Sequence, residues 1–246
     1  MSVLLTGGSG RLGSELRALA PDIIAPPSAE LDLTDASSVQ RALKLYKPDV
    51  IIHAAAYTDV KGAETNRAAC WQVNVEGTRN LVKALADTEK AAALVHISTD
   101  YVFYGDTGNY AEDDPVGPVR NYYALSKLVA EEVARLAERH LIIRTSFRPR
   151  EFPYPVAFAD VFTSQDYVDI IAPEIALAVQ HVNEIPYNTL HIATERKSVY
   201  DLAKRRNQEV EPGSKADAGV SLPDDISLNV ERWRTLKTSL LEKSTS

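Results

Sequence analysis

The sequence predicts an α/β protein built on a doubly wound parallel sheet, and three observations lead there. A short apolar strand, Val3–Thr6, runs straight into glycines at positions 7, 10 and 13. Apolar runs then alternate with helix-like segments as far as residue 145, and beyond it the alternation breaks into a proline-rich passage. A strand feeding a Gly-rich turn and then a helix brings unpaired backbone N–H groups to a pyrophosphate. Gly7 and Gly10 permit a tight turn and close backbone approach, and Gly13 lets the following helix pack against the strand.

The strand-like runs are Val3–Thr6, Asp22–Ala25, Val50–His53, Ala93–Ser98 and Leu141–Arg144. Between them lie helix-like segments at Leu12–Leu19, Ala36–Leu45, Trp71–Asp87 and Tyr122–Arg139. Short apolar strands in this rhythm belong to a parallel sheet covered on both faces. Thr34 or Asp35 can cap the second helix, and Pro48 closes it. The passage Arg148-Pro149-Arg150-Glu151-Phe152-Pro153-Tyr154-Pro155 admits neither regular helix nor central strand, because proline lacks the donor both require. A helix resumes from about Val168 to His181, followed by a strand at Thr189–Ala193, a short helix after Ser198, a polar stretch at Glu211–Asp225 and a last helix near Val230–Leu240 with Trp233. The expected organisation is a Rossmann-type dinucleotide-binding domain of residues 1–145 plus 168–193. Residues 146–167 plus 194–238 would form a small, discontinuous and abbreviated C-terminal substrate lobe over the C-terminal ends of the strands, where open α/β sheets bind ligands.

A net charge of -7 with scattered Lys and Arg gives no support to nucleic-acid or membrane binding among the 246 residues. Cys70 is the single cysteine, so there is no disulfide framework; it reads as a small buried hydrophobe. His53, His96, His140, His181 and His191 are dispersed without an HExxH pattern, and no protein-built metal site is expected. The start lacks the basic and long apolar regions of a secretory leader, which makes a cytoplasmic location the expectation.

The chemistry-bearing residues begin with Tyr123-Ala124-Leu125-Ser126-Lys127. A spacing of four sets Tyr123 and Lys127 on one helical face. An unperturbed phenol ionises near pH ~10, so acid–base work at neutral pH calls for a neighbour that stabilises phenolate, and a lysine ammonium is the simplest one. The fourth apolar strand runs out into Ser98-Thr99-Asp100-Tyr101, placing hydroxyls at the functional edge of a parallel sheet, where Thr99 can donate to a substrate oxygen while Tyr123 passes the proton.

With these residues in place the chain resembles an extended short-chain dehydrogenase/reductase, and within that superfamily the dTDP-4-dehydrorhamnose reductases. The resemblance is carried by the glycine turn at 7–13, Pro48-Asp49-Val50-Ile51-Ile52-His53-Ala54-Ala55-Ala56-Tyr57-Thr58, Ala63-Glu64, Asn74-Val75, Ser98-Thr99-Asp100-Tyr101-Val102-Phe103, Tyr123 with Ser126-Lys127, and Arg144-Thr145-Ser146. It implies Thr99, Tyr123 and Lys127 as the catalytic threonine, tyrosine and lysine. It implies a dinucleotide held by Gly7, Gly10, Arg11, Leu12, Gly13, Asp32, Leu33, Ala54, Ala55 and Ala56 together with Tyr123 and Lys127. Asn74 matches an asparagine that helps to hold the active-site architecture, and a nucleotide-sugar substrate would meet Thr99, Asp100 and Tyr101.

No acid stands at the end of the second strand, Ile24-Ala25-Pro26-Pro27-Ser28, where NAD sites usually carry one. Arg11, helped by Ser28, can meet a 2′-phosphate, which favours NADP(H) slightly over NAD(H). The chain departs from the family at Phe147-Arg148-Pro149-Arg150, where Arg148 or Arg150 can clamp a nucleotide diphosphate or stand as a surface charge. The leading expectation is NAD(P)H-dependent reduction of a nucleotide-linked 4-keto-6-deoxy sugar. An epimerase with retained NAD and a non-catalytic dinucleotide-binding subunit are the alternatives, and a homodimer is the superfamily's usual assembly.

Overall fold

The computed structural model describes residues 1–88, 91–218 and 222–244. Its centre is a parallel sheet of five strands, β1 (Val3–Thr6), β2 (Val50–His53), β3 (Ala93–Thr99), β4 (His140–Thr145) and, after four short strands, β9 (Thr189–His191), hydrogen-bonded in that order. The short strands are β5 (Phe147–Arg148), β6 (Val156–Phe158), β7 (Phe162–Thr163) and β8 (Asp166–Tyr167), followed after β9 by β10 (Lys197–Ser198) and β11 (Glu211–Gly213). They pair as β5 with β8, β7 with β10 and β6 with β11, giving small sheets beyond the main one. This is the expected Rossmann-like parallel sheet with an abbreviated C-terminal lobe.

Successive strand residues face opposite sides, and the sequence fills both. Leu5, Ile52, Val95 and Ile143 join the core beneath α1 (Arg11–Leu19) and α7 (Val168–Gln180), where Trp233 and Leu240 of α9 (Glu231–Ser244) also pack. Leu4, Ile51, Leu94 and Ile142 join the opposite core beneath α2 (Ala36–Tyr46), α5 (Gly77–Ala86) and α6 (Tyr122–Ala134). Each such side chain contributes about 1.5–3 kcal/mol on burial. α2 starts at Asp35, whose carboxylate accepts from the Ser37 N–H at 2.9 Å, and stops at Lys47 in the left-handed conformation just before Pro48.

Three expected elements come out differently. Asp22–Ala25 is a bridge and not a strand: Ile24 alone pairs with Leu4, donating to the Val3 carbonyl and accepting from the Leu5 N–H. Pro21 and Pro26-Pro27 bracket it and offer no N–H to extend a ladder. The segment Trp71–Asp87 is divided into α4 (Arg67–Trp71), a π-helical turn at Gln72–Glu76 and α5, while α3 (Val60–Thr65) precedes it. α6 ends at Ala134 and not Arg139, because Leu136 and Ala137 donate three residues back and tighten the chain out of the helix. Cys70 is buried and outside any disulfide among the described residues, and its sulfur donates to the Ser126 hydroxyl at 3.3 Å and accepts from Asn74 at 3.6 Å.

Candidate active site

The glycine turn builds the first half of the site. Gly7 has φ +77°, and a Cβ there would lie 2.7 Å from the Ala55 nitrogen; a Cβ on Gly13 would lie 2.2 Å from the Gly7 carbonyl oxygen. Only glycine lets β1, the start of α1 and the strand-end alanines come this close. Gly10 caps α1 through its backbone, and no side chain covers the helix N-terminus, which leaves donors for an anion. Beside the turn lies a cleft of about 500 Å³, lined by Gly7, Asp32, Leu33 and Ala55 among the expected residues, and also by Arg17, Ser28 and Val73. Gly10, Leu12, Gly13, Ala54 and Ala56 stand behind or beside that lining, and Arg11 is exposed outside it.

The second half is built by β3, the turn after it, and α6. Asn121 caps α6, accepting from the Ala124 N–H at 2.8 Å. The helix thereby presents Tyr123 and Lys127, 8% and 3% exposed, to the end of β3. Thr99 donates to the Asp100 carboxylate at 3.0 Å and accepts from the Tyr101 N–H at 3.2 Å, and Tyr101 meets the Tyr123 ring edge-on with centroids 6.3 Å apart.

Burial sets the protonation states. It raises the Tyr123 phenol well above its ordinary range, with the nearby Asp100 and Tyr101 adding to the rise and a hydrogen bond with Thr99 opposing it. The Lys127 ammonium donates to the Ile97 carbonyl at 2.7 Å, and burial lowers its pKa to about 8 against the nearby Glu131 charge. Desolvation is the largest influence on the phenol, larger than any single neighbouring charge or hydrogen bond. Burial likewise pushes Asp100 up to about 6 against hydrogen bonds from Thr99 and Ser146, and Tyr101 up to about 12. Tyr123 is thus a protonated phenol at neutral pH, available as an acid.

A clasp behind these residues comes from the π-helical turn. Asn74 accepts from the Tyr57 N–H at 2.7 Å and donates to the Tyr57 carbonyl and to the Ser126 hydroxyl, which in turn donates to the Tyr123 carbonyl. Asn74 is buried within the π turn, an irregularity frequently found at functional sites.

A family model, that of the RmlD substrate binding domain, matches residues 1–149. The chain belongs to this RmlD-like reductase family. It is 39% identical over 155 residues to the dTDP-4-dehydrorhamnose reductase of Mycobacterium tuberculosis, a match covering 59% of this chain and 49% of that protein. The RmlD-like chain spans about half the length of the curated relatives it matches. Among solved structures it resembles a hypothetical dTDP-4-dehydrorhamnose reductase from Sulfolobus tokodaii, with a TM-score of 0.82, 34% identity and coverage of 96% and 94% of the two chains. It equally resembles the Bacillus anthracis dTDP-4-dehydrorhamnose reductase in complex with NADP, with a TM-score of 0.82, 30% identity and coverage of 96% and 93%.

The two arginines at this RmlD-like chain's departure from the family pattern have separate fates. Arg150 is exposed and bound in two places to the carboxylate of Glu15 on α1, at 2.7 Å each. Arg148 turns inward over Phe152, 5.3 Å from the ring centroid; its Nε is buried without a partner among the described residues, and Tyr101, Tyr154, Tyr167 and Asp100 stand around it. Among the described residues no group of His, Cys, Asp and Glu is arranged to hold a metal, and no helix is long and apolar enough to cross a membrane. His53 and His96 lie under Lys127 in the sheet, held neutral by burial.

Proposed function

We propose that the chain reduces the 4-ketone of a nucleotide-linked 4-keto-6-deoxy sugar using NAD(P)H. The observation that carries this reading is the buried, protonated Tyr123 set against Thr99 at the end of β3, with Lys127 one helical turn further on. When bound, the nicotinamide supplies hydride to the carbonyl carbon. Tyr123 gives the proton to the carbonyl oxygen and Thr99 orients that oxygen. Lys127 would hold the nicotinamide ribose, and the uncapped start of α1, with Gly7 and Ala55 beside it, fits a pyrophosphate. A solved relative of this fold carries NADP, which supports a nicotinamide dinucleotide here and leaves the NADP(H) preference as part of the proposal.

Residues 146–167 with 194–238 are read as the substrate lobe, supported by their strand pairs and a core of Phe152, Val161, Tyr167, Val199 and Leu202. Arg148, whose buried Nε has no partner among the described residues and which stands near Tyr101 and Asp100, is the stronger of the two arginines for substrate contact.

The test is a titration of the purified protein with NADPH and NADH, with and without a panel of nucleotide-linked 4-keto-6-deoxy sugars, followed by nicotinamide absorbance and fluorescence. Sugar-dependent oxidation is the expected result. Binding without oxidation would move the assignment to an epimerase with retained cofactor or to a regulatory subunit.

A further inference from the structure

The cleft beside the glycine turn contains a cation on the second turn of α1. Arg17 is exposed and lines the cleft with Gly8, Ala25, Pro26, Ser28 and Asp32. Helical side chains lean toward the helix N-terminus, and this tilt lays Arg17 across Gly8. A Cβ built on Gly8 would meet the Arg17 Cδ at 3.4 Å and the Ala25 Cβ at 2.8 Å. The guanidinium reaches the Gly8 carbonyl at 3.5 Å, the outer limit of a hydrogen bond, so little holds it from another acceptor. Arg150, the other arginine near α1, is occupied by Glu15, whereas Arg17 has no carboxylate partner among the described residues.

The facing wall suits an anion. The chain leaving Ile24 presents two prolines and the Ser28 hydroxyl, with no acid where the ribose hydroxyls of a dinucleotide are commonly accepted. Asp32, the acid in the lining, turns its Oδ1 into its own loop, accepting from the Thr34 N–H at 2.8 Å and the Thr34 hydroxyl at 2.7 Å. A planar guanidinium beside a hydroxyl matches a phosphate monoester, which it can bind through two parallel N–H donors.

We infer that Arg17, and not Arg11, receives the 2′-phosphate of the adenine ribose, with Ser28 as its hydroxyl partner, and that this pair makes the chain select NADP(H) over NAD(H). The inference rests on the reading of the cleft as a dinucleotide site.

Equilibrium binding tests it without reference to turnover. NADPH and NADH are titrated by nicotinamide fluorescence against the parent, Arg17→Gln and Arg11→Gln, with adenosine 2′-phosphate and adenosine 5′-phosphate as competing fragments. The parent should prefer NADPH about tenfold or more; Arg17→Gln should weaken NADPH by about that factor and leave NADH unchanged. Arg11→Gln should keep the preference, and adenosine 2′-phosphate should lose its ability to compete only in Arg17→Gln. Equal parent affinity for the two coenzymes, equal weakening of both in Arg17→Gln, or loss of preference in Arg11→Gln instead would overturn the inference. Binding of neither coenzyme by the parent would overturn the dinucleotide reading itself. Because Arg17 is exposed, Arg17→Gln should melt with the parent, so a binding change is read on a folded protein.

Discussion

Around Glu131, buried charge is met on every side: Ser98 donates to it at 2.5 Å, and Arg144 engages both its oxygens at 3.0–3.3 Å and donates onward to the Glu112 carbonyl. One and two turns earlier on the same face of α6, Lys127 and Tyr123 are as deeply buried, yet their neighbours are few and burial decides their protonation. The first cluster is a satisfied network that fixes α6 against β3 and β4. The second has fewer polar partners, the Ile97 carbonyl for Lys127 and Thr99 for Tyr123, and burial outweighs them; under the proposed function these are the groups that would meet a carbonyl and a ribose. The two clusters therefore differ in how completely their buried polar groups are paired.

Tyr123→Phe should break the contrast most sharply. Removing the phenolic proton should lower turnover by about 10²- to 10⁴-fold, while the unfolding transition and the NADPH dissociation constant stay near the parent values. Parent-like rates in the variant would end the acid role. Glu131→Ala should act in the opposite way. It strands the Arg144 guanidinium, which is 3% exposed, and should cost about 3–5 kcal/mol in urea unfolding. It also removes the charge that props Lys127 up, so Lys127 should fall further below about 8. A loss under about 1 kcal/mol would show that Arg144 finds other acceptors.

The parts of this molecule legible in the sequence are those where one residue type answers one physical need. The continuous apolar strands, the glycine turn, the Asp35 cap and the four-residue spacing of Tyr123 and Lys127 are of that kind. The strand expected at Asp22–Ala25 is a bridge because Pro21 and Pro26-Pro27 end its ladder on either side of Ile24, and apolar content alone does not carry that limit. The π-helical turn left no trace, since one extra residue in a helix does not alter an apolar pattern enough to see. Arg17 was hidden for a geometric reason: it lies seven positions beyond Gly10, and only the backward lean of helical side chains returns it to the turn. Arg148 and Arg150 are two residues apart and chemically identical, so their division between interior and surface had to come from the fold.

The smallest effect concerns Asp100, and it tests whether burying a carboxyl that is already hydrogen-bonded carries a measurable cost. Its carboxyl titrates near about 6 in the fold against an ordinary value of 3.8, with burial as the cause. Between these values the folded protein holds a proton that the unfolded chain has released, so this residue makes stability fall as pH rises from about 4 to about 6. The difference is of the order of 3 kcal/mol for a fully buried group. Below pH 4 both states are protonated and above pH 6 both are ionised, so the penalty is complete at neutral pH. Asp100→Asn keeps an oxygen to accept from Thr99 and the Tyr101 backbone region but cannot ionise. It should be more stable than the parent at pH 7, by an increment that shrinks toward zero at pH 4. Urea midpoints for both proteins across that range isolate Asp100 from the other carboxylates, because those cancel in the difference. Parallel curves would mean that the Asp100 carboxyl is effectively solvated in the fold and that burial does not raise its pKa.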